Sequence, residues 1–133
     1  MAKSELFRNP AVRTIFEWGG AFPVRRGEAD RDALRTVHRA IEDGNVIGVF
    51  IEGHRNEQLA EAKAGAGRIA IVEECPVVPV AIRGTRGWRP GGRVTVRFGE
   101  PRRYERGDRR AAQAYRETAD AIMGEIRTLY ERV

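Results

Sequence analysis

The chain has 133 residues, a formal net charge of +5 and an isoelectric point near 10.1. Its length and its hydrophobic fraction of 41% exclude global disorder and predict one domain, residues 1–133. No apolar run is long enough for a membrane-spanning helix, and the single cysteine, Cys75, excludes an intrachain disulfide and a cysteine-based metal site. We therefore expect a cytoplasmic protein whose basic surface suits anionic partners.

The first half of the chain predicts two helices and a short extended piece. Asn9-Pro10 is a helix-start signal, and the helix should end at Gly19-Gly20. Residues 21–24 read as extended, and a second helix should run over residues 30–43. Its predicted buried face carries Leu34, Val37, His38 and Ile41.

The run from Val46 to Ile51 is apolar and rich in β-branched residues, which predicts a strand buried on both faces of a parallel sheet. Such sheets place their chemistry in the loops that follow the strands. Here Glu52, His54 and Arg55 stand in that loop, and this combination suits a phosphate-like ligand. The alternative is a strand-end turn with solvated charges.

The second half predicts a helix, two strands and a final helix. The helix at 61–74 carries small residues that allow close packing on a sheet, and Pro79 gives the strand at 76–82 an edge position or a bulge. A half-exposed strand at 94–98 precedes a helix over about 108–132. The predicted class is α/β, with a layered, mostly parallel sheet flanked by helices.

Six short segments stand in a fixed order between residues 2 and 101. They are Ala2–Phe7, Gly20–Arg26, Phe50–Asn56, Lys63–Gly65, Pro76–Ile82 and Val94–Pro101. Together they resemble the glycerolipid acyltransferase family, typified by bacterial 1-acylglycerol-3-phosphate acyltransferase. Phe50–Asn56, for example, resembles the family block Phe-Pro-Glu-Gly-Thr-Arg-Ser.

The resemblance implies transfer of a fatty acyl group from acyl-CoA or acyl carrier protein to lysophosphatidate or a similar lysophospholipid, with no metal or other cofactor. It implies a phosphate site made by Arg26, Arg55 and Lys63, with Glu52 and Gly53 shaping the loop. These cations suit phosphate recognition, although exposed salt bridges are the alternative. His54 and Lys3 are further candidates for this site.

The first family block, Asn-His-x4-Asp, does not occur before the Ala-Lys segment of this sequence, which is N-terminally truncated relative to the family pattern. In the family its histidine is the general base, so we assign no catalytic residue. In the family this part of the chain also carries a strand of the sheet. Without that strand the sheet would have an unpaired edge that could pair with another chain. His38 and Asp43 share the His-x4-Asp spelling, but on a helix their directions differ by about 140°, and we predict a packed core or boundary histidine at position 38.

Three interpretations follow. The chain is an acyltransferase domain of phospholipid biosynthesis that lacks its N-terminal catalytic block unless the true start lies upstream of Met1, a non-catalytic remnant that binds lipid or phosphate, or a nucleic-acid binder that uses the Arg-rich segments 83–97 and 102–110. We expect no nucleic acid, because acidic residues are interspersed and a recognition motif is lacking. A lipid substrate implies peripheral contact with an acidic surface at the inner face of the cell membrane, for which Trp88 is the interfacial candidate.

Overall fold

A computed structural model of the chain describes residues 31–52, 62–85, 87 and 89–132, together with the backbone of residues 2–3 and 23–24. The chain divides into two compact units, Met1–Phe50 and Ile51–Val133. The described elements are mixed α and β, as predicted. The helix expected at residues 9–19 lies outside the described residues, and the single domain stays a prediction.

The first unit contains a short parallel strand pair and a helix. Strand β1, Ala2–Lys3, pairs with β2, Pro23–Val24. Helix α1, Arg31–Glu42, confirms the helix predicted at 30–43. Its first turn carries Asp32 and its last turn Arg39, charges that favour the helix dipole at each end.

The histidine of α1 does not lie in the core, and that prediction is wrong. The buried positions of the helix are Ala33 and Val37, four residues apart. His38 comes one residue, or about 100°, beyond this stripe. Its side chain is 57% exposed, and its Nε2 lies 3.4 Å from a carboxylate oxygen of Glu42.

The prediction of a buried strand from Val46 to Ile51 is also wrong. Residues 45–50 form no regular strand, and Val46 and Phe50 are exposed. The apolar composition of the run indicates burial, but a strand also needs a neighbour that completes its hydrogen-bond ladder. None of the strands in the described part of the chain pairs with this run. Only its last residue, Ile51, is buried, and it belongs to the second unit.

The second unit is organised by two helices that pack together, α2 at Ala64–Val72 and α3 at Ala111–Glu131. The small residues of α2 allow this approach. A Cβ placed on Gly67 would overlap the carbonyl oxygen of Tyr115 and lie 2.9 Å from the backbone nitrogen of Ala119. The close packing predicted for α2 is therefore made against a helix rather than a sheet. The core consists of Ile51, Ala70, Ala119, Ile122 and Met123.

The strands of the second unit form an antiparallel pair, not the parallel sheet that was predicted. Strand β3, Val80–Arg83, pairs with β4, Thr95–Phe98. A parallel connection needs a crossover of about a dozen residues or more, usually helical. The described residues of the 84–94 connection contain turns and no helix, so the chain reverses and the strands pair as neighbours.

The predicted irregularity at Pro79 is confirmed. Val77 forms a bridge with Arg102, whereas Val80 pairs with Phe98. Between these two pairs the chain advances three residues from 77 to 80 but four residues from 98 to 102. Pro79 cannot donate a hydrogen bond to the ladder, but its carbonyl oxygen accepts one from the Gly99 nitrogen at 2.8 Å. This bulge precedes the regular part of β3.

The two faces of the β3–β4 hairpin differ. On one face Ala81 is buried, and the guanidinium of Arg83 lies 5.5 Å from the ring centroid of Tyr130 in α3. The other face carries the cross-strand pairs Ile82–Val96 and Val80–Phe98. Phe98 is 68% exposed and Val96 is 46% exposed. No helix in the described residues is long and apolar enough to cross a membrane.

Candidate functional site

The candidate site lies at Ile51–Glu52 and Ala62–Lys63, the described residues on either side of positions 53–61. The backbone nitrogen of Lys63 donates a hydrogen bond to the carbonyl oxygen of Ile51 at 3.0 Å. The Ile51 side chain is anchored in the core with Ala70 and Met123. This bond and this anchor place these two ends side by side, and they hold Glu52 and Lys63 at the start of α2.

Lys63 is the N-cap residue of α2. Its backbone is extended, with φ −93° and ψ 134°, and its side chain makes no capping hydrogen bond. The lysine is exposed, so its ammonium group is available to solvent. The N-terminal end of a helix carries partial positive charge from its free N–H groups. Lys63 therefore adds a full positive charge to an end that already favours anions.

The surface beside Lys63 is sterically open. Ala64 and Gly65 are exposed, and a Cβ placed on Gly65 would meet nothing within 4 Å. A ligand can therefore approach the backbone of the first turn closely. Glu52 is half-buried at the other end of the segment, next to buried Ile51. The geometry suits an anionic group at the helix end, with a carboxylate at its border.

The structure brings together Glu52 and Lys63 among the predicted site residues. Lys3 lies in β1 of the first unit, where its backbone is aligned with Val24. The remaining candidates lie outside the described residues; these are Arg26, Gly53, His54 and Arg55. The phosphate-binding role of each of these residues stays a prediction.

A polar cluster that sequence reasoning missed joins α3 to the segment after β4. The Tyr104 hydroxyl donates to a carboxylate oxygen of Glu125 at 3.2 Å, and Arg102 Nε lies 3.2 Å from the same oxygen. Burial raises the pKa of Tyr104, and the charge and hydrogen bond of Glu125 raise it further, against a smaller lowering by Arg102. The available signal was an acidic residue, Glu125, beside Ile126 on the otherwise apolar stripe of α3.

A cleft of about 600 Å³ lies beyond the C-terminal end of α2, lined in part by Val72, Glu74, Arg103 and Tyr115. Glu74 has a left-handed backbone with φ 48°, and Arg103 donates a hydrogen bond to its carbonyl oxygen. Neither Glu52 nor Lys63 contributes to this cleft, which is therefore separate from the candidate site. The described residues contain no group of three or more His, Cys, Asp or Glu that could hold a metal ion.

Comparison with known proteins supports the resemblance carried by the six segments. The family model described as Acyltransferase matches residues 1–83, which is more than half of the chain. A 1-acyl-sn-glycerol-3-phosphate acyltransferase from Bacillus subtilis (strain 168) is 31% identical over 104 residues. The match covers 76% of this chain and 52% of that protein, so the chain spans about half the length of this relative. No solved structure matches the chain significantly.

Proposed function

Because the chain belongs to the acyltransferase family, we propose that it serves phospholipid biosynthesis by transferring a fatty acyl group to lysophosphatidate or a similar lysophospholipid. The acyl donor is acyl-CoA or acyl carrier protein. As the family resemblance implies, Lys63, Arg26 and Arg55 are the cations that hold the acceptor phosphate, and Glu52 and Gly53 shape the loop. The reaction takes place at the inner face of the cell membrane.

One observation carries this proposal. The hydrogen bond from Lys63 to Ile51 joins the ends of a segment that resembles the family's acceptor-binding block, and it does so at an open, electropositive helix end. The Bacillus subtilis relative supports the choice of acceptor, since a 1-acyl-sn-glycerol-3-phosphate acyltransferase acts on an acceptor that carries one phosphate. A lysine acts as a point charge and arginines as bidentate donors, which together suit a phosphate monoester.

The proposed reaction forms one bond and breaks another. The free hydroxyl oxygen of the acceptor attacks the thioester carbonyl carbon, the new C–O bond forms, and the C–S bond breaks. The hydroxyl proton leaves with the released thiol. Lys63 and the arginines hold the acceptor so that its hydroxyl meets the donor, which lowers the entropic part of the barrier.

No residue of this chain is assigned the role of general base. His38 is exposed on α1 beside Glu42, and His54 lies outside the described residues. Positioning alone supplies only part of an enzyme's acceleration, and general base catalysis typically adds about 10²–10⁴-fold. We therefore expect the 133-residue chain to transfer acyl groups slowly.

Acceptor binding tests the site. Isothermal titration of the purified chain with a short-chain lysophosphatidate, kept below its micelle concentration, should show binding that Lys63→Ala weakens about tenfold through loss of a charge-assisted contact. Arg110→Ala is the matched control, because Arg110 is also an extended N-cap residue whose side chain makes no capping hydrogen bond, at the start of α3. Equal losses in both variants, or no binding by the wild type, would contradict the proposed site.

The second candidate is a module that binds lipid phosphate without transfer, and it is favoured by the exposed Lys63 at the open end of α2, since binding an anion there needs no general base. Both candidates predict the same acceptor binding. Product formation distinguishes the two candidates, because only the acyltransferase converts labelled acyl-CoA and lysophosphatidate into phosphatidate.

A further inference from the structure

The described residues on either side of positions 53–61 rest on one apolar core. Ile51 is 7% exposed and belongs to the core cluster, and Ala62, which precedes Lys63, packs against the same cluster. The Lys63 nitrogen connects these two ends by its hydrogen bond to the carbonyl oxygen of Ile51. The relative position of Glu52 and Lys63 is therefore set by the packing beneath them as well as by this bond.

Helix α3 supplies most of this core. In the described part of the chain the cluster has five buried members, and those on α3 are Ala119, Ile122 and Met123. Spacings of three and four residues place them on one side of the helix. Met123 has the longest of the three side chains and is 2% exposed. The family model matches residues 1–83, so the contribution of this helix lies beyond the matched part.

From this arrangement we propose that Met123 is a positioning residue of the acceptor site. Its side chain helps to fill the cluster that buries Ile51, and the buried Ile51 holds its carbonyl oxygen where the Lys63 nitrogen donates to it. Met123 thereby keeps the Lys63 backbone close to that of Glu52 without touching the acceptor. This role rests on the proposed function, because it concerns the affinity of the same site for a phosphate monoester.

Ile51 is the member of the cluster with the weakest backbone restraint. Ala70 lies within α2 and Ile122 within α3, where helical hydrogen bonds hold the backbone. Ile51 lies in a turn. Protein interiors are close-packed, and the structure around a truncated side chain relaxes partly into the space that is left. Shortening Met123 should therefore displace Ile51 first and open its bond to Lys63.

Amide hydrogen exchange of Lys63 tests this directly, because that amide makes the bond to Ile51. Met123→Ala should lower the protection factor of the amide about tenfold, as expected when a local opening becomes more frequent. Met123→Leu keeps the volume of the side chain and should restore protection close to that of the wild type. Met123→Val removes less volume than alanine and should lower protection by a smaller factor, so the test stands even where the alanine variant fails to fold.

Ile71→Ala is the matched control for loss of packing in general. Ile71 is 8% exposed on α2 and is not a member of the cluster that contains Ile51. Each protein is measured at the same interval below its own thermal midpoint, which compensates for different losses of global stability. Under these conditions Ile71→Ala should leave the protection of the Lys63 amide near the wild-type value. Equal losses in Met123→Ala and Ile71→Ala would show that Met123 only stabilises the fold, and they would overturn the proposal.

Acceptor binding supplies the functional readout. In isothermal titration with short-chain lysophosphatidate below its micelle concentration, Met123→Ala should weaken binding about tenfold, because a site that is no longer preorganised must be ordered on binding. Met123→Leu and Ile71→Ala should bind like the wild type. Loss of Lys63 protection in Met123→Ala without loss of affinity would contradict the positioning role.

The two measurements separate this proposal from the function on which it rests. Absence of lysophosphatidate binding by the wild type would contradict the proposed function and the positioning role together. Binding by the wild type that Met123→Ala leaves unchanged would contradict the positioning role alone. Unchanged protection of the Lys63 amide in Met123→Ala and Met123→Val would also overturn the role of Met123, and it would leave the acceptor site itself intact.

Discussion

Helix α2 places two glycines, Gly65 and Gly67, in opposite surroundings. Gly67 is buried against α3, where the backbone at Tyr115 and Ala119 leaves no room for a side chain. Gly65 is exposed beside Lys63, and a Cβ there would meet nothing. Helix α2 therefore packs tightly against α3 at Gly67, whereas the N-terminal end of the same helix is open to solvent at Gly65. A small residue in a sequence can thus signal either close packing or ligand access, and only its neighbours distinguish the two.

The largest expected effect on the free energy of unfolding comes from adding a side chain where α2 packs against α3. Gly67→Ala should destabilise the protein by about 2 kcal/mol or more, because the methyl group overlaps backbone atoms of α3 that cannot rotate away. Gly65→Ala should stabilise it by about 0.5–1 kcal/mol, because alanine restricts the unfolded chain and favours helix. Urea unfolding of both variants measures this contrast. Similar unfolding free energies for the two variants would contradict the difference in packing between Gly67 and Gly65.

A moderate effect is expected at the polar cluster that ties α3 to the segment after β4. Glu125→Gln should destabilise the protein by about 1 kcal/mol, because it removes the charge that pairs with Arg102 and weakens the hydrogen bond from Tyr104. Arg110→Gln, a loss of charge outside the cluster, serves as the control. A denaturation midpoint unchanged by Glu125→Gln would show that the cluster contributes nothing to stability.

The same cluster predicts an alkaline pH dependence. The folded state raises the pKa of Tyr104 above its ordinary value of 10.0, mainly through burial. Its contribution to stability is therefore complete below about pH 10 and is lost as pH rises through the folded pKa. Comparing unfolding free energies of the wild type and Tyr104→Phe at pH 8 and pH 11 isolates this contribution. The difference between the proteins should shrink at the higher pH, and a constant difference would contradict the assignment.

The smallest effect is expected at Glu117, on the exposed side of α3. A hydrogen bond from Gln113, and then one from Arg109, lowers the pKa of this carboxyl. The stabilisation is present above its ordinary pKa of 4.5 and is lost as pH falls through the folded value. Glu117→Gln should therefore lower the thermal midpoint slightly at pH 6 and not at pH 3. An equal change at both pH values would assign the effect to helix propensity.

Local patterns predicted the helices well and the sheet poorly. Periodicity identified α1 and α3, because an amphipathic face is encoded within a few turns of the chain. The pairing of β3 with β4 depends on the path of the 84–94 connection, which strand composition does not encode. The error at Val46–Phe50 has the same origin, since a strand is defined by its neighbours.

The candidate site was predictable in part. The Lys63 position followed from the order of segments, and the structure places that residue at the start of α2. The bond that joins it to Ile51 depends on tertiary packing and has no sequence signature. The buried residues of α1 show a similar limit, because the stripe at Ala33 and Val37 is rotated by one position from the one that hydropathy favoured.

Acyl transfer by the purified chain tests the central claim most directly. With labelled acyl-CoA and lysophosphatidate we predict slow formation of phosphatidate, and no product when a monoacylglycerol without the phosphate replaces the acceptor. Lys63→Ala should raise the acceptor KM about tenfold with a smaller change in kcat, whereas Arg110→Ala should match the wild type. Binding of lysophosphatidate without any transfer would contradict the enzymatic claim and support the binding module. Equal use of both acceptors would contradict the phosphate site itself.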